Sequence, residues 1–169
     1  MLSAKMEEAL NAQINAEGFS AYLYLSMSAY AESLNMSGFA NWFRIQSQEE
    51  QFHMMKIFDY VAERGGRVRL EKIETPQVEW DSLLKAFEDT LEHEKYISDR
   101  INKLVDLAIQ ESDHATNAFL QWFVTEQVEE ESTADGILQK LRLMKDAPGA
   151  LFMMDQELGR RAYTPPPAA

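Results

Sequence analysis

The chain predicts an all-α fold: four long helices in an up-down-down-up bundle, with a long crossover between helices two and three and a short fifth helix. Three observations carry this. Four stretches place apolar residues at alternating steps of three and four, the face a helix turns toward a bundle core. Each of those stripes is broken at mid-length by residues that ligate metals. One long segment without helical periodicity separates the second stretch from the third. With 169 residues and 46% hydrophobic content, the chain suits one domain with a substantial core.

The first helix reads from about Ala4 to Glu32, with the stripe Leu10, Ile14, Glu17, Ala21, Tyr24, Ser28 and Ala31. The turn from Asn35 to Gly38 is short, which makes the first two helices antiparallel neighbours. The second runs from about Phe39 to Arg64 and stops at Gly65-Gly66, with the stripe Phe39, Phe43, Gln46, Glu50, His53, Ile57 and Tyr60. The segment from Arg67 to Asp81, containing Thr75-Pro76, is the gap. Extended, about fifteen residues reach up to roughly 50 Å, whereas a helix of about 26 residues is near 39 Å long. The gap therefore reaches the full length of the bundle and makes helices two and three parallel.

The third helix begins near Ser82, with Asp81 or Ser82 as N-cap, and continues to about Gln110. Its stripe is Leu83, Phe87, Thr90, Glu94, Ile97, Ile101, Leu104 and Ala108. Ser112 and Asp113 offer caps for the fourth, from about His114 to Lys145, with Leu120, Phe123, Gln127, Glu130, Ala134, Ile137, Leu141 and Met144 inward. Pro148-Gly149 breaks the pattern, and Ala150 to Leu158 reads as the fifth helix, closed by Gly159. Residues 1–169 thus form a single domain: bundle 1–145, fifth helix 148–159, and a flexible, proline-containing tail 160–169.

Composition narrows the function. Against 28 acidic residues stand 16 basic ones, a net charge of −12, which makes nucleic acid a poor partner. No apolar run approaches the length of a membrane span. The opening Met1-Leu2-Ser3-Ala4-Lys5-Met6 lacks a basic region followed by an apolar block, so the cytoplasm is the expected location. Cysteine is absent, which excludes disulfides and thiolate metal sites.

Glu17, Glu50, His53, Glu94, Gln127 and Glu130 point inward from four different helices. An isolated carboxylate in an apolar interior costs several kcal/mol or takes up a proton. Four together also repel, and no Arg or Lys stands in the stripes near these heights to pair with them. Two divalent ions balance four carboxylates and leave the imidazole and amide as neutral ligands. Taken alone, Glu50-x-x-His53 is a weak signal, and the run Glu126-Gln127-Val128-Glu129-Glu130-Glu131 reads as a solvated face. Their register with Glu17 and Glu94 makes the signal specific: this is a dinuclear metal site in a helical bundle.

Over nearly its whole length the chain resembles the prokaryotic non-haem ferritins. The resemblance rests on Asn15-Ala16-Glu17, Gln48-Glu49-Glu50-Gln51-Phe52-His53, Phe119-Leu120-Gln121-Trp122-Phe123 and the acidic run 126–131. It implies one iron site at Glu17, Glu50 and His53, with Glu50 bridging, and a second at Glu94 and Glu130, with Gln127 as hydrogen-bonding or weak ligand. It also implies a third iron position at Glu49, Glu126 and Glu129, with Glu130 shared. Gln127-x-x-Glu130 stands where related di-iron proteins such as bacterioferritins and rubrerythrins keep a second Glu-x-x-His. That difference argues against a symmetric permanent di-iron cofactor and for a site that releases its iron.

The expected function is oxidation of Fe(II) by O2, or H2O2 in its place, at this ferroxidase centre, followed by storage of Fe(III) as an oxyhydroxide mineral. The resemblance implies a homo-oligomeric, hollow cage of 24 subunits with an acidic interior. Tyr24, two turns from Glu17, reads either as an electron donor beside the iron pair, as the resemblance implies, or as a core tyrosine bonded to a buried carboxylate; the two are compatible. His93 and His114 lie outside the constellation and read as surface or capping residues. The methionines Met54, Met55, Met153 and Met154 read as packing residues, and no haem is expected. Trp42, Trp80 and Trp122 read as core or contact aromatics. Two rivals are a di-iron oxidase or peroxidase without storage, which would want a second Glu-x-x-His, and a bundle without iron chemistry, which would have lost these ligands. Gly18, in mid-helix beside Glu17, costs about 1 kcal/mol relative to Ala and has no account from sequence.

Overall fold

In the computed structural model, which describes residues 1–144, 147 and 149–164, five helices follow one another: α1 (Ala4–Ser33), α2 (Ser37–Glu63), α3 (Leu83–Gln110), α4 (His114–Met144) and α5 (Ala150–Leu158). Three helix starts carry side-chain caps, two of them, Ser82 and Asp113, at residues the sequence offers for that role. Ser3 accepts from the Met6 N–H and Ser82 from that of Lys85, while Asp113 accepts from the Thr116 N–H at 3.0 Å, each satisfying a backbone donor with no partner inside its helix. The turn after α1 places Asn35 at φ 57°, a left-handed conformation Asn tolerates. The end of α4 expected at Lys145, the Pro148 break and tail residues 165–169 lie outside the described residues.

Helix α2 starts two residues earlier than its apolar pattern suggests, and nothing next to its start caps it. The cap comes from α5. Asp155 Oδ1 accepts from the N–H groups of Gly38 and Phe39 at 2.8 and 3.1 Å. A side chain at Gly38 would put its Cβ 1.7 Å from the Asp155 carbonyl oxygen, so only glycine permits this approach.

The crossover between α2 and α3 lies along α1 and travels in the direction of α1. Asn11 donates to the Arg67 carbonyl and accepts from the Arg69 N–H, Asn15 donates to the Lys72 carbonyl at 3.1 Å, and Ser26 to the Gln77 carbonyl at 2.6 Å. Polar side chains on the outer face of α1 thus satisfy a backbone that has no ladder of its own. By Trp80, buried against Tyr30 with ring centroids 5.3 Å apart, the chain has returned to the end where α2 began, and α2 and α3 run parallel. Ile73 covers Gly18: a Cβ there would meet Ile73 Cδ1 at 3.1 Å and Met54 Sδ at 3.3 Å. Close approach of the crossover explains this mid-helix glycine.

The core is divided. One apolar cluster holds Tyr24, Met27, Phe39, Phe43, Phe87 and Leu138. The other holds Leu10, Ile14, Ile57, Ile97, Ile101 and Leu120. Between them, on four helices, lies a buried polar layer of Glu17, Glu50, His53, Glu94, Gln127 and Glu130.

Candidate metal centre

Each polar residue of this layer replaces an apolar one in a stripe that is buried on both sides, so packing carries it inward. Glu17, Glu50 and Glu94 are 1% exposed, His53 2% and Glu130 7%, burial that carboxylates avoid unless something compensates them. Glu17, Glu50 and His53 bring one ligand atom each to within 4.8 Å of one another. His53, Glu126 and Glu130 do the same. His53 therefore stands between the two groups, with Nδ1 3.3 Å from Glu50 Oε2 and Nε2 3.9 Å from Glu126 Oε1.

The neighbours orient these groups without neutralising them. Gln13 donates to Glu17 Oε1 at 2.8 Å, and Gln46 to Glu130 Oε2 at 2.5 Å. The Tyr24 hydroxyl donates to Glu94 Oε1. Gln127 Nε2 donates to Glu94 Oε2 at 3.1 Å and to the Glu94 carbonyl at 3.2 Å. Gln127 is thus a hydrogen-bonding partner of one carboxylate through its nitrogen. Glu17 Oε2 and Glu50 Oε1 are buried with no hydrogen-bond partner. Among the described residues, no Arg or Lys is ion-paired with Glu17, Glu50, Glu94 or Glu130.

Electrostatics follow from this crowding. Burial, then the charges of Glu94, Glu17 and Glu130, push the Glu50 carboxyl well above the usual range. Burial and Glu94 do the same to Glu130. Burial raises Glu94 to about 7, and it raises Glu17 against the opposing bond from Gln13. His53 is lowered to about 4, by burial first and Lys56 second. A neutral imidazole has a free lone pair, and bringing in cations is what allows clustered carboxylates to ionise together. Edges and faces of Trp122 and Phe123, with centroids 5.5 and 6.0 Å from that of His53, hold the imidazole.

The outer residues lie toward solvent. Glu49 is three-quarters buried and bonds through Oε2 to Arg161 Nη2 at 2.5 Å. Glu126 is 28% exposed, and Glu129 is exposed. Burial raises Glu49 and Glu126; Arg161 opposes the rise at Glu49, repulsion from Glu129 adds to both, and Glu49 adds to that of Glu126. Glu126 approaches His53 as well as the outer group, which register alone does not reveal.

Sequence reasoning missed two relays. Arg100 Nε donates to Gln13 Oε1 at 2.8 Å, and Gln13 donates onward to Glu17. Arg161 Nη1 donates to Gln46 Oε1 at 2.9 Å, and Gln46 donates onward to Glu130. In both, an arginine outside the layer fixes the direction of a buried amide. Gln46 stood in an apolar stripe and was visible as a polar residue there; Arg100 and Arg161 gave no signal. His93, expected at the surface or in a cap, is instead largely buried, 2.7 Å from Ser20 Oγ and edge-on to Tyr24. His114 opens α4 and is exposed.

A four-helix bundle with a lengthwise crossover and a buried carboxylate–imidazole layer defines the ferritin-like class of metal-handling proteins. The ferritin-like domain model matches residues 7–144. A bacterial non-heme ferritin from Bacteroides fragilis is 46% identical over 161 residues, covering 95% of this chain and 100% of the relative. One from Staphylococcus aureus is 39% identical over 163 residues, covering 96% and 98%. Among solved structures, an open-pore ferritin from the hyperthermophilic archaeon Archaeoglobus fulgidus aligns with TM-score 0.95 at 56% identity, covering 96% of this chain and 100% of that one. An engineered closed form of that ferritin gives TM-score 0.96 at 55% identity, covering 97% and 100%. The chain belongs to the ferritin family. No described helix is long and apolar enough to cross a membrane.

Proposed function

We propose that this ferritin binds Fe(II) at the buried layer, oxidises it there with O2 or H2O2, and stores the product as a ferric oxyhydroxide inside an oligomeric cage. The observation that carries the reading is the set of four buried glutamates from four helices with, among the described residues, no Arg or Lys ion-paired with them. Two orphaned carboxylate oxygens, on Glu17 and Glu50, strengthen it. The donor set of hard oxygens and one neutral imidazole fits iron in both oxidation states.

In this reading Glu17, Glu50 and His53 bind one iron and Glu94 with Glu130 the other, Glu50 lying between as the bridge. Each Fe(II) gives up one electron, so a pair delivers the two that O2 takes up on becoming peroxide. Gln127 and Tyr24 hold Glu94 in place; Tyr24 is also the buried phenol positioned to donate a further electron. With one histidine the ligand shell is unequal on its two sides and favours release of product, as storage requires. Glu49, Glu126 and Glu129, reached from Glu130, form a third, outer position toward solvent. No haem belongs to this scheme.

The assembly proposed is a cytoplasmic 24-subunit cage. Supporting it, Gly18, Tyr22, Leu25, Met54 and Ile73 line an open, largely apolar groove on the outside of α1 and α2, with Tyr22 50% and Leu25 46% exposed, as a surface awaiting a second subunit would be. The test is aerobic Fe(II) loading followed by gel filtration, with iron and protein assayed in each fraction. Iron should co-elute with a large particle, far beyond what nine side chains could ligate, and Glu50→Ala should load much more slowly. Rapid oxidation with iron held only at site stoichiometry would refute storage, and no protein-dependent oxidation would refute the ferroxidase.

A further inference from the structure

We propose that Arg161 is a resident counter-cation of the outer carboxylate position: it competes with an incoming metal ion for Glu49 and, through Gln46, sets the orientation of Glu130. The inference rests on the outer position proposed above.

Arg161 has a built seat. Capping of α2 by Asp155 fixes α5 across the start of α2, and the chain leaves α5 at Gly159. Asn41 Nδ2 then donates to the Arg161 carbonyl at 3.0 Å, pinning the backbone three residues beyond the helix. The guanidinium lies over the Trp42 ring, 4.8 Å from its centroid. Its Nη1 reaches the Trp42 carbonyl at 3.3 Å and Gln46 Oε1 at 2.9 Å, and its Nη2 reaches Glu49 Oε2 at 2.5 Å. A side chain held on a ring face, a carbonyl, an amide and a carboxylate has lost most of its rotamer freedom already, so the ion pair is not one of the weak, mobile kind found on surfaces.

Its position is what gives it a role. Among the described residues Arg161 is the only Arg or Lys ion-paired with any of Glu49, Glu126 and Glu129. A hard cation binds a carboxylate oxygen at about 2.0–2.2 Å, where it would meet the guanidinium nitrogen already on Glu49 Oε2. The guanidinium charge repels a cation approaching that oxygen and occupies one of its lone pairs, so binding there competes with the ion pair. Arg100, the corresponding arginine of the other relay, is ion-paired with no carboxylate of the layer among the described residues; it bonds to Gln13, the Tyr96 hydroxyl and the Ala12 carbonyl. Arg161 alone couples the two groups, since the guanidinium that guards Glu49 also keeps Gln46 turned toward Glu130. The consequence is an outer position weaker than the inner pair, one that a metal ion passes through and does not saturate.

The test is anaerobic calorimetric titration of the full-length protein with Zn(II), a redox-inert probe, comparing wild type with Arg161→Gln, Arg161→Lys, Glu49→Gln and the double variant Arg161→Gln/Glu49→Gln. Wild type should show two tight classes of site and one weaker class that Glu49→Gln weakens further. Arg161→Gln should tighten that third class by about tenfold or more, and the gain should vanish in the double variant. A gain in affinity is something loss of a merely structural strap would not produce. Should Arg161→Gln also disturb the tight pair, Arg161→Lys decides: its shorter contact should still tighten the third class about threefold, and an unchanged or weaker class overturns the proposal. A third class present, sensitive to Glu49→Gln and untouched by Arg161→Gln overturns the role of Arg161 while leaving the outer position standing. No third class sensitive to Glu49→Gln overturns the outer position and the proposal with it.

Discussion

Raising the pH of chelator-treated protein from 6.5 to 8.5 should destabilise it, and Zn(II) should abolish the effect. The sign follows from the buried carboxyls. Glu94 is raised from 4.5 to about 7, chiefly by burial. Between those values the folded protein holds a proton that the unfolded chain has released, so this stabilisation is complete below 4.5 and is lost as pH rises through 7. The interval corresponds to something on the order of 3 kcal/mol for Glu94 alone. Glu50 and Glu130 are raised in the same direction, by burial and then by the charge of Glu94. His53 and His93 act oppositely: burial lowers both from 6.5 to about 4, so the unfolded chain binds the extra protons and stability rises across that range. Above 6.5 the unfolded histidines release their last protons, and beyond about 7.5 the carboxyls act alone. Each carboxyl still protonated in the folded protein then gives a loss of about 1.4 kcal/mol per pH unit. Guanidinium unfolding followed by fluorescence of buried Trp42 and Trp80 would measure this, at several pH values, with chelator and with Zn(II). Bound cations favour the ionised carboxylates, so the slope with Zn(II) should flatten or reverse. Stability in chelator that is flat or rising across this window would refute the buried-charge account, as would an equal fall with Zn(II).

Three substitutions extend the reasoning. Gln127→His supplies the second imidazole and removes the amide donor to Glu94; iron should be retained at the inner pair under a chelator challenge that strips the wild type, and equal stripping would count against the unequal ligand shell. Tyr24→Phe removes the hydroxyl bond to Glu94 and should cost about 1–3 kcal/mol in thermal or chemical unfolding; stopped-flow oxidation should be near normal for the first iron pair and slower over later turnovers, whereas unchanged later turnovers would assign Tyr24 to packing alone. Gly38→Ala drives a Cβ against the Asp155 carbonyl and should cost about 1–3 kcal/mol or more, with α5 becoming sensitive to limited proteolysis; a wild-type digestion pattern would contradict the close contact.

What the sequence makes legible here is whatever a single helix carries by itself. The stripes place Glu17, Glu50, His53, Glu94, Gln127 and Glu130 in one layer because a residue's face follows from its step of three or four. The caps at Ser82 and Asp113 are equally local. What escaped is made by contacts across the chain. The start of α2 is set by an aspartate 117 residues away from Gly38, and Gly18 is small because Ile73 of the crossover lies on it. Arg161 sits in a stretch with no periodicity, so its approach to Glu49 has no one-dimensional trace. His93 looked solvent-facing because its helix turns it away from the core, yet the outer side of α1 covers it through Phe19 and Ser20.

The docking of Asp155 on α2 bears on where this domain can be cut. The family match closes at Met144, with the last residue of the fourth long helix, and a minimal version of the bundle would naturally be truncated there. Such a fragment would keep every ligand of the inner layer and still leave the first turn of α2 open, its Gly38 and Phe39 amides stripped of their acceptor and Trp42 and Phe39 unroofed. The shortest piece able to close its own interior therefore extends past the segment that the family model matches, at least through Leu158. Constructive redesign of this chain, by domain fusion or permutation, should treat α5 as the stopper of the bundle and place new junctions beyond it.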